Sequence, residues 1–459
     1  MTPHLLTSRR LLALCLACAC TLAPRTPAQT LARPGWVGSG INPDVWWKHP
    51  VVYEVNPINF SPTDGSGLHG VAQRLDYIQS LGVDAILLTI IQPDPTHAQS
   101  IDPVYGTLDD LDDLIHDASR HNIRVLLDLD PHIPVADLPN VGRFWLNRGI
   151  AGFHINGAAP EARAQAAELR RAANTYLGQR VLIGDVDPTL PSSLQQKTAK
   201  ASDTQSTQLL LDASLGAVTP LNPAPIRSAV ESTENVLRVG HSIPLLASDG
   251  PTFQRSMGRY GDGQHDLAIA KLLATILFTT RAQPLLYYGQ ELGVPASSAS
   301  DPTNATPIIT WDAPPPPAKG QPAPPPAAET STPNTTPNAA LEEADPASLL
   351  NWYRKLIDLH HSNATINTGE YLTINRDDQN VLIIIRKPKV VSPTNPVLVI
   401  LCNLSGQPQH LSIKTDTMKL HLRGSFLRTV LRNDNGMGTM HLESMTLPPY
   451  IAYIGEMRF

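Results

Sequence analysis

Short β-branched runs alternate with helical patterns eight times between residues 51 and 289, and that alternation constrains the fold more than any other feature of the chain. Val51 to Pro57, Ala85 to Ile91, Arg124 to Asp130, Gly152 to Asn156, Val181 to Val186, Gln208 to Asp212, Ile243 to Asp249 and Pro284 to Gly289 read as strands. Between them, residues 71–81, 108–121, 161–177, 225–237 and 265–281 place apolar side chains at helical spacing. Eight such units fit a closed α/β fold, the (β/α)8 TIM barrel, better than an open sheet, whose strand count is usually lower. In a barrel of this kind, functional side chains sit at the C-terminal ends of the strands.

The pattern breaks after strand eight. Residues 313–346 carry Pro314 to Pro317 and Pro324 to Pro326 amid Ala, Thr and Asn, a composition that cannot bury enough apolar surface to order itself, so a disordered insertion is expected there. An amphipathic helix, Ser348 to His360, follows. Beyond it the chain changes to alternating β segments such as Val381 to Arg386 and Val397 to Leu401, the pattern of an antiparallel β-sandwich domain over 363–459. The barrel is then expected to occupy 29–362.

Residues 1–28 read as a signal peptide: Arg9 and Arg10 precede the apolar run Leu11 to Leu22, and a small-residue exit ends at Ala28. At about twelve residues the run is too short to span a bilayer. A secreted or periplasmic protein with no transmembrane span is expected. Ser8-Arg9-Arg10 also suits a twin-arginine start, and Cys15, Cys18 and Cys20 are candidate lipidation sites without a good lipobox before them. Cleavage removes all the cysteines except Cys402, so no intrachain disulfide can form and stability must come from packing. Lys and Arg number 35 against 41 Asp and Glu, with no basic block, which argues against a nucleic-acid partner.

Several ordered blocks carry a family resemblance. Trp46-Trp47-Lys48-His49-Pro50 with Val51-Val52-Tyr53-Glu54-Val55, then Leu75 to Ile86, Ile101-Asp102-Pro103-Val104-Tyr105-Gly106-Thr107, Phe144 to Gly149, Gln283 to Gly293, Thr306 to Asp312 and Leu349 to Arg354 all fall in one family's order. The chain resembles glycoside hydrolase family 13, the α-amylase family, on its α-glucosidase and oligo-1,6-glucosidase side, from about residue 44 to the end. The resemblance implies a (β/α)8 barrel, a C-terminal β domain, and carbohydrate chemistry on α-linked gluco-oligosaccharides. Relatives insert a subdomain after strand three. Only about ten residues separate Asp130 from the helix near Val141, so that subdomain is expected to be missing.

Retaining glycosidases need two close carboxyls, a nucleophile and an acid/base. The family's nucleophile Asp, at the end of strand four, is matched here by Asn156, and the Arg before it by His154. An amide has no anionic oxygen, and losing a nucleophile can cost about 10⁴ to 10⁶ in rate. Asp185 takes the acid/base position, normally Glu, one methylene short. Asp249 takes the transition-state-stabiliser position, with Ala247-Ser248 before it in place of Asn-His. At strand three, Asp128 matches a substrate-binding Asp, and His132 falls near the family's His. The family's sugar-clamping stretch is missing between Pro93 and Ile101.

Each of these residues also has a purely structural reading. Asp128, Asp185 and Asp249 are equally at home as hydrogen-bonding barrel acids, and His132 and His154 as satisfied barrel histidines. No cofactor and no metal are expected. Asp64-Gly65-Ser66-Gly67 lacks the several carboxylates that a calcium site needs. Two functional readings remain. One is a catalytically impaired pseudo-glycosidase that binds α-glucosides or a protein partner, much as transporter-associated members of the family act as scaffolds. The other is an active α-glucosidase or transglycosidase with a rebuilt acid pair, Asp185 with Asp249 or Asp128.

Overall fold

The structure is a computed structural model that describes residues 46–61, 67–156, 161–186, 207–239, 242–252, 254–295, 309–312 and 337–458. The expected signal peptide, the Asp64-Gly65-Ser66 turn and the two proline runs lie outside the described residues. Residues 44–459 form one compact unit.

Eight parallel strands close into a barrel in sequence order: β1 Val52–Val55, β2 Ala85–Leu88, β3 Arg124–Leu129, β4 Gly152–Ile155, β5 Val181–Asp185, β6 Leu209–Asp212, β7 Ile243–Ala247 and β8 Gln283–Tyr287. Each lies within a run expected from the sequence or one residue beyond it. β1 pairs with β8, Glu54 opposite Tyr287, so the sheet has no edge. Side chains alternate along a strand with period two. Val52, Leu87, Leu126, Ile183, Leu209, Leu245 and Leu285 therefore fill the barrel, while Val55, Leu127, Phe153 and Leu182 face the helices. The same parity turns Glu54, Asp128, His154 and Asp185 inward at the C-terminal ends of their strands.

Gly152 at the start of β4 admits no side chain, because an added Cβ would sit 2.1 Å from the Val181 carbonyl oxygen. That contact sets β4 tightly against β5, two residues before His154. Residues 130–137 connect β3 to the helix Leu138–Arg148, so no subdomain separates them. The single helix expected at 71–81 is two, Leu68–Ala72 and Leu75–Leu81, broken where the Arg74 guanidinium stacks 4.7 Å from the Trp311 ring.

The sequence stretch 313–346 was too broad for an unstructured insertion. Its end, 337–346, is folded: Thr310 bridges Asn338, the Asn338 side chain caps the helix Ala339–Ala344, and the Glu342 carboxylate accepts from the Leu350 amide. These contacts brace the helix Leu349–Ser362, whose N-cap is Ser348. Compositional bias ended earlier than the proline count suggested, at the first residues able to cap a helix.

The C-terminal strands β9 Glu370–Ile374, β10 Val381–Lys387, β11 Leu398–Asn403, β13 Phe426–Arg432, β14 Thr439–His441 and β16 Ala452–Arg458 form an antiparallel sheet, order β14-β13-β16-β11-β10-β9. β12 Gln409–Leu411 and β15 Met445–Leu447 pair separately. Leu382, Ile384, Leu398, Ile400 and Ile454 join the core that surrounds the barrel. Their neighbours Ile383, Ile385, Val399, Leu401 and Tyr453 pack with Met445 and Leu447 from the two-stranded ribbon in a second core. Two packed β layers result.

Candidate active site

At the C-terminal end of the barrel, His154 stands between two carboxylates. Its Nδ1 lies 2.9 Å from Asp128 Oδ1 on β3, and its Nε2 lies 3.0 Å from Asp185 Oδ1 on β5. An ionised carboxylate only accepts hydrogen bonds, so both ring nitrogens must donate and the ring is an imidazolium. Burial alone would lower the His154 pKa, but the two carboxylates and their hydrogen bonds outweigh it and hold the ring well above the usual imidazole value. Asp128 and Asp185 keep about a fifth of their side-chain surface exposed, against 10% for His154. The ring is thus a floor with a carboxylate on each side.

Glu54 on β1 completes this layer and was overlooked in the sequence, although an acid inside the otherwise apolar Val51-Val52-Tyr53-Glu54-Val55 was the available signal. Burial, with the neighbouring Asp128 charge, pushes its carboxyl up to about 8, against a smaller opposing pull from His154. Glu54 is accordingly a neutral acid at pH 7.

The other candidate residues lie apart from this cluster. Asp249 is 2% exposed, accepts from the Ser256 amide at 2.9 Å and hydroxyl at 3.1 Å, and pairs with Arg259 at 3.5 Å. Burial raises its pKa, opposed by Arg255 and Arg259. It ties the loop after β7 together. His132 is 81% exposed and bonds Asp130 at 2.9 Å. Asn156 is exposed just beyond β4, next to residues 157–160, which are outside the described set. Glu291 accepts from the Tyr53 and Tyr77 hydroxyls at 2.7 Å each, wholly buried behind β1.

Chemically, this arrangement is poor for double displacement. An imidazole between two carboxylates holds their facing oxygens roughly 7 to 8 Å apart, where a retaining pair needs about 5 to 5.5 Å. The His154 ring also fills the space between these two carboxylates. What remains is a set of acceptors and donors suited to hydroxyl groups. Among the described residues, no group of three or more His, Cys, Asp or Glu side chains is arranged to hold a metal ion.

The model of the α-amylase catalytic domain matches residues 54–132. The trehalose-6-phosphate hydrolase of Escherichia coli is 45% identical over 95 residues, 18% of this chain and 17% of that protein. Over these residues the chain resembles the α-amylase family. A second similarity is broader and weaker: an amino acid transporter heavy chain of Oryctolagus cuniculus is 23% identical over 355 residues, 71% of this chain. The chain spans 61% of that relative's length and under a fifth of the hydrolase's. Among solved structures, the Bacillus licheniformis trehalose-6-phosphate hydrolase superposes with a TM-score of 0.73 at 17% identity, covering 90% of this chain and all of that one. The isomaltulose synthase from Klebsiella sp. LX3 gives 0.72 at 17%, covering 91% of this chain and all of that one. At such identities the likeness shows the fold alone, a closed barrel followed by a β domain.

Proposed function

We propose that this α-amylase-family protein is a catalytically impaired pseudo-glycosidase, exported by residues 1–28, whose barrel mouth binds α-linked gluco-oligosaccharides weakly or serves as a scaffold for a protein partner. One observation carries this reading: the imidazolium of His154 is engaged by both Asp128 and Asp185, and an amide, Asn156, stands two residues further on at the nucleophile position. Asp128 and Asp185 then act as hydroxyl acceptors, and the short loop 130–137 leaves the mouth shallow and wet, which weakens any polar contact with sugar. The barrel at 29–362 supplies the site and 363–459 supports it. The scaffold half is supported by the transporter heavy chain among the relatives, whereas the hydrolases share a shorter stretch. No helix among the described residues is long and apolar enough to cross a membrane.

Hydrolysis of a nitrophenyl α-glucoside, measured beside calorimetric titration with maltotriose and isomaltotriose, tests the proposal. The expected result is turnover at the buffer rate with millimolar binding, or no binding. Turnover that disappears in Asp185→Asn would overturn it in favour of an active enzyme with a rebuilt acid pair.

A further inference from the structure

Away from the barrel mouth, four arginines meet where the barrel helix Pro223–Val239 packs against the edge of the C-terminal sheet. Arg227 comes from that helix, Arg281 from the turn before β8, Arg376 from the turn after β9, and Arg386 from β10. Two carboxylates face them, and both are already taken. Glu231 holds Arg376 through a two-pronged pair and also accepts from the Thr373 hydroxyl. Glu234 accepts from the Arg281 amide at 3.0 Å and its guanidinium at 3.4 Å. Asp377, on an exposed turn, is the remaining acid that Arg227 feels.

Arg227 and Arg386 are therefore buried cations without a hydrogen-bonded carboxylate. Arg227 is 5% exposed and gives Nη1 to the Arg376 carbonyl at 2.7 Å, but its Nε and Nη2 have no partner. Arg386 is 0% exposed and donates to the Thr279, Thr280 and Gly369 carbonyls, but its Nε has no partner. The buried Tyr371 hydroxyl on β9 also has none, and it feels both arginines and both glutamates. Every unpartnered group in this seam can donate. A water molecule accepts at most two hydrogen bonds and must place two hydrogens of its own, whereas an anion accepts from all of them and offsets the desolvated positive charge.

We infer that the seam between the barrel helix and the C-terminal sheet binds one small monovalent anion of chloride's size, held by the Tyr371 hydroxyl and the unpaired N–H groups of Arg227 and Arg386. The bound anion joins the two layers, because Arg227 belongs to the barrel and Tyr371 and Arg386 to the sheet. This site is separate from the barrel mouth, and its occupancy does not depend on the sugar reading.

Thermal unfolding of the full-length protein tests it, with chloride replacing gluconate at constant ionic strength. A saturable rise of about 3 °C is expected. Tyr371→Phe, which removes only the hydroxyl, and Arg227→Met should each lose most of that rise, while the distant Lys419→Gln keeps it. A bromide-soaked crystal should show an anomalous peak within hydrogen-bond distance of Tyr371 Oη. Equal melting in the two salts, a rise without saturation, or a full rise in Tyr371→Phe would each overturn the inference and leave water as the occupant.

Discussion

His154 and Glu54 make the barrel floor sensitive to protons. The folded His154 pKa lies above the ordinary 6.5, so its stabilising contribution is complete below about pH 6.5 and is lost as pH rises through the folded value. Glu54 moves from 4.5 to about 8, so the folded chain keeps a proton that the unfolded chain has lost, and stability falls as pH climbs across that interval. Both contributions have the same sign. Stability, and with it the melting temperature, should fall between pH 6 and 9, the free energy by at most about 1.4 kcal/mol per pH unit for each group. Glu54→Gln removes one contribution, so the variant should gain on the wild type up to pH 8; a variant that loses ground over that range contradicts the assignment. Restoring the reacting groups with Asn156→Asp, Asp185→Glu and His154→Arg should yield a folded protein with turnover still more than about 10³-fold below an active relative, because positioning contributes as much as the reacting groups. Robust α-glucoside turnover by the triple variant would show that the impairment is local.

At the scale of elements, the helix Ala339–Ala344 decides how much of the proline-rich stretch can be removed. Deleting 314–335 should shift the melting temperature by less than about 1 °C, since polyproline composition buries little. Deleting 314–344 should cost about 2 kcal/mol or more, because it takes away the Glu342 contacts to Ser348, Leu350 and Asn351 at the start of the helix Leu349–Ser362. Differential scanning calorimetry of the two deletions separates these cases, and equal melting would mean that the helix contributes nothing. A capping box between Thr107 and Asp110 opens the helix Leu108–Arg120, which the helical spacing over 108–121 had placed. The break between Leu68–Ala72 and Leu75–Leu81 was not legible, and Arg74 at that break lies over Trp311, more than two hundred residues away.

For the whole molecule, the barrel and the C-terminal sheet share one core. Leu382, Ile384, Leu398, Ile400 and Ile454 pack into the cluster that also holds the barrel helices, and Arg386 donates across the seam to the Thr279 and Thr280 carbonyls. One cooperative unfolding transition is therefore expected, with no separate melting of the sheet. Arg386→Met should lower stability by about 3 kcal/mol, since the buried carbonyls it serves lose their donor. A chain ending at residue 362 should be insoluble, because it exposes that apolar seam; a soluble truncated barrel with native circular dichroism would show that the two parts fold independently.

Strand-helix alternation was enough to determine the eight-stranded barrel and the β-rich end of the chain, because burial on both faces makes barrel strands short apolar runs while one-sided burial gives the helices between them a helical period. The replacement of the nucleophile by Asn156 could likewise be read directly, since it is a matter of residue identity at a motif position. What the three candidate aspartates do could not. Asp128, Asp185 and Asp249 look alike as letters, yet the tertiary structure gives the first two to His154 and the third to Ser256 and Arg259. Glu54 became part of the site only when the closed barrel brought β1 opposite β3, β4 and β5. Charge state is set by neighbours distant in sequence and by burial, and neither exists until the barrel closes.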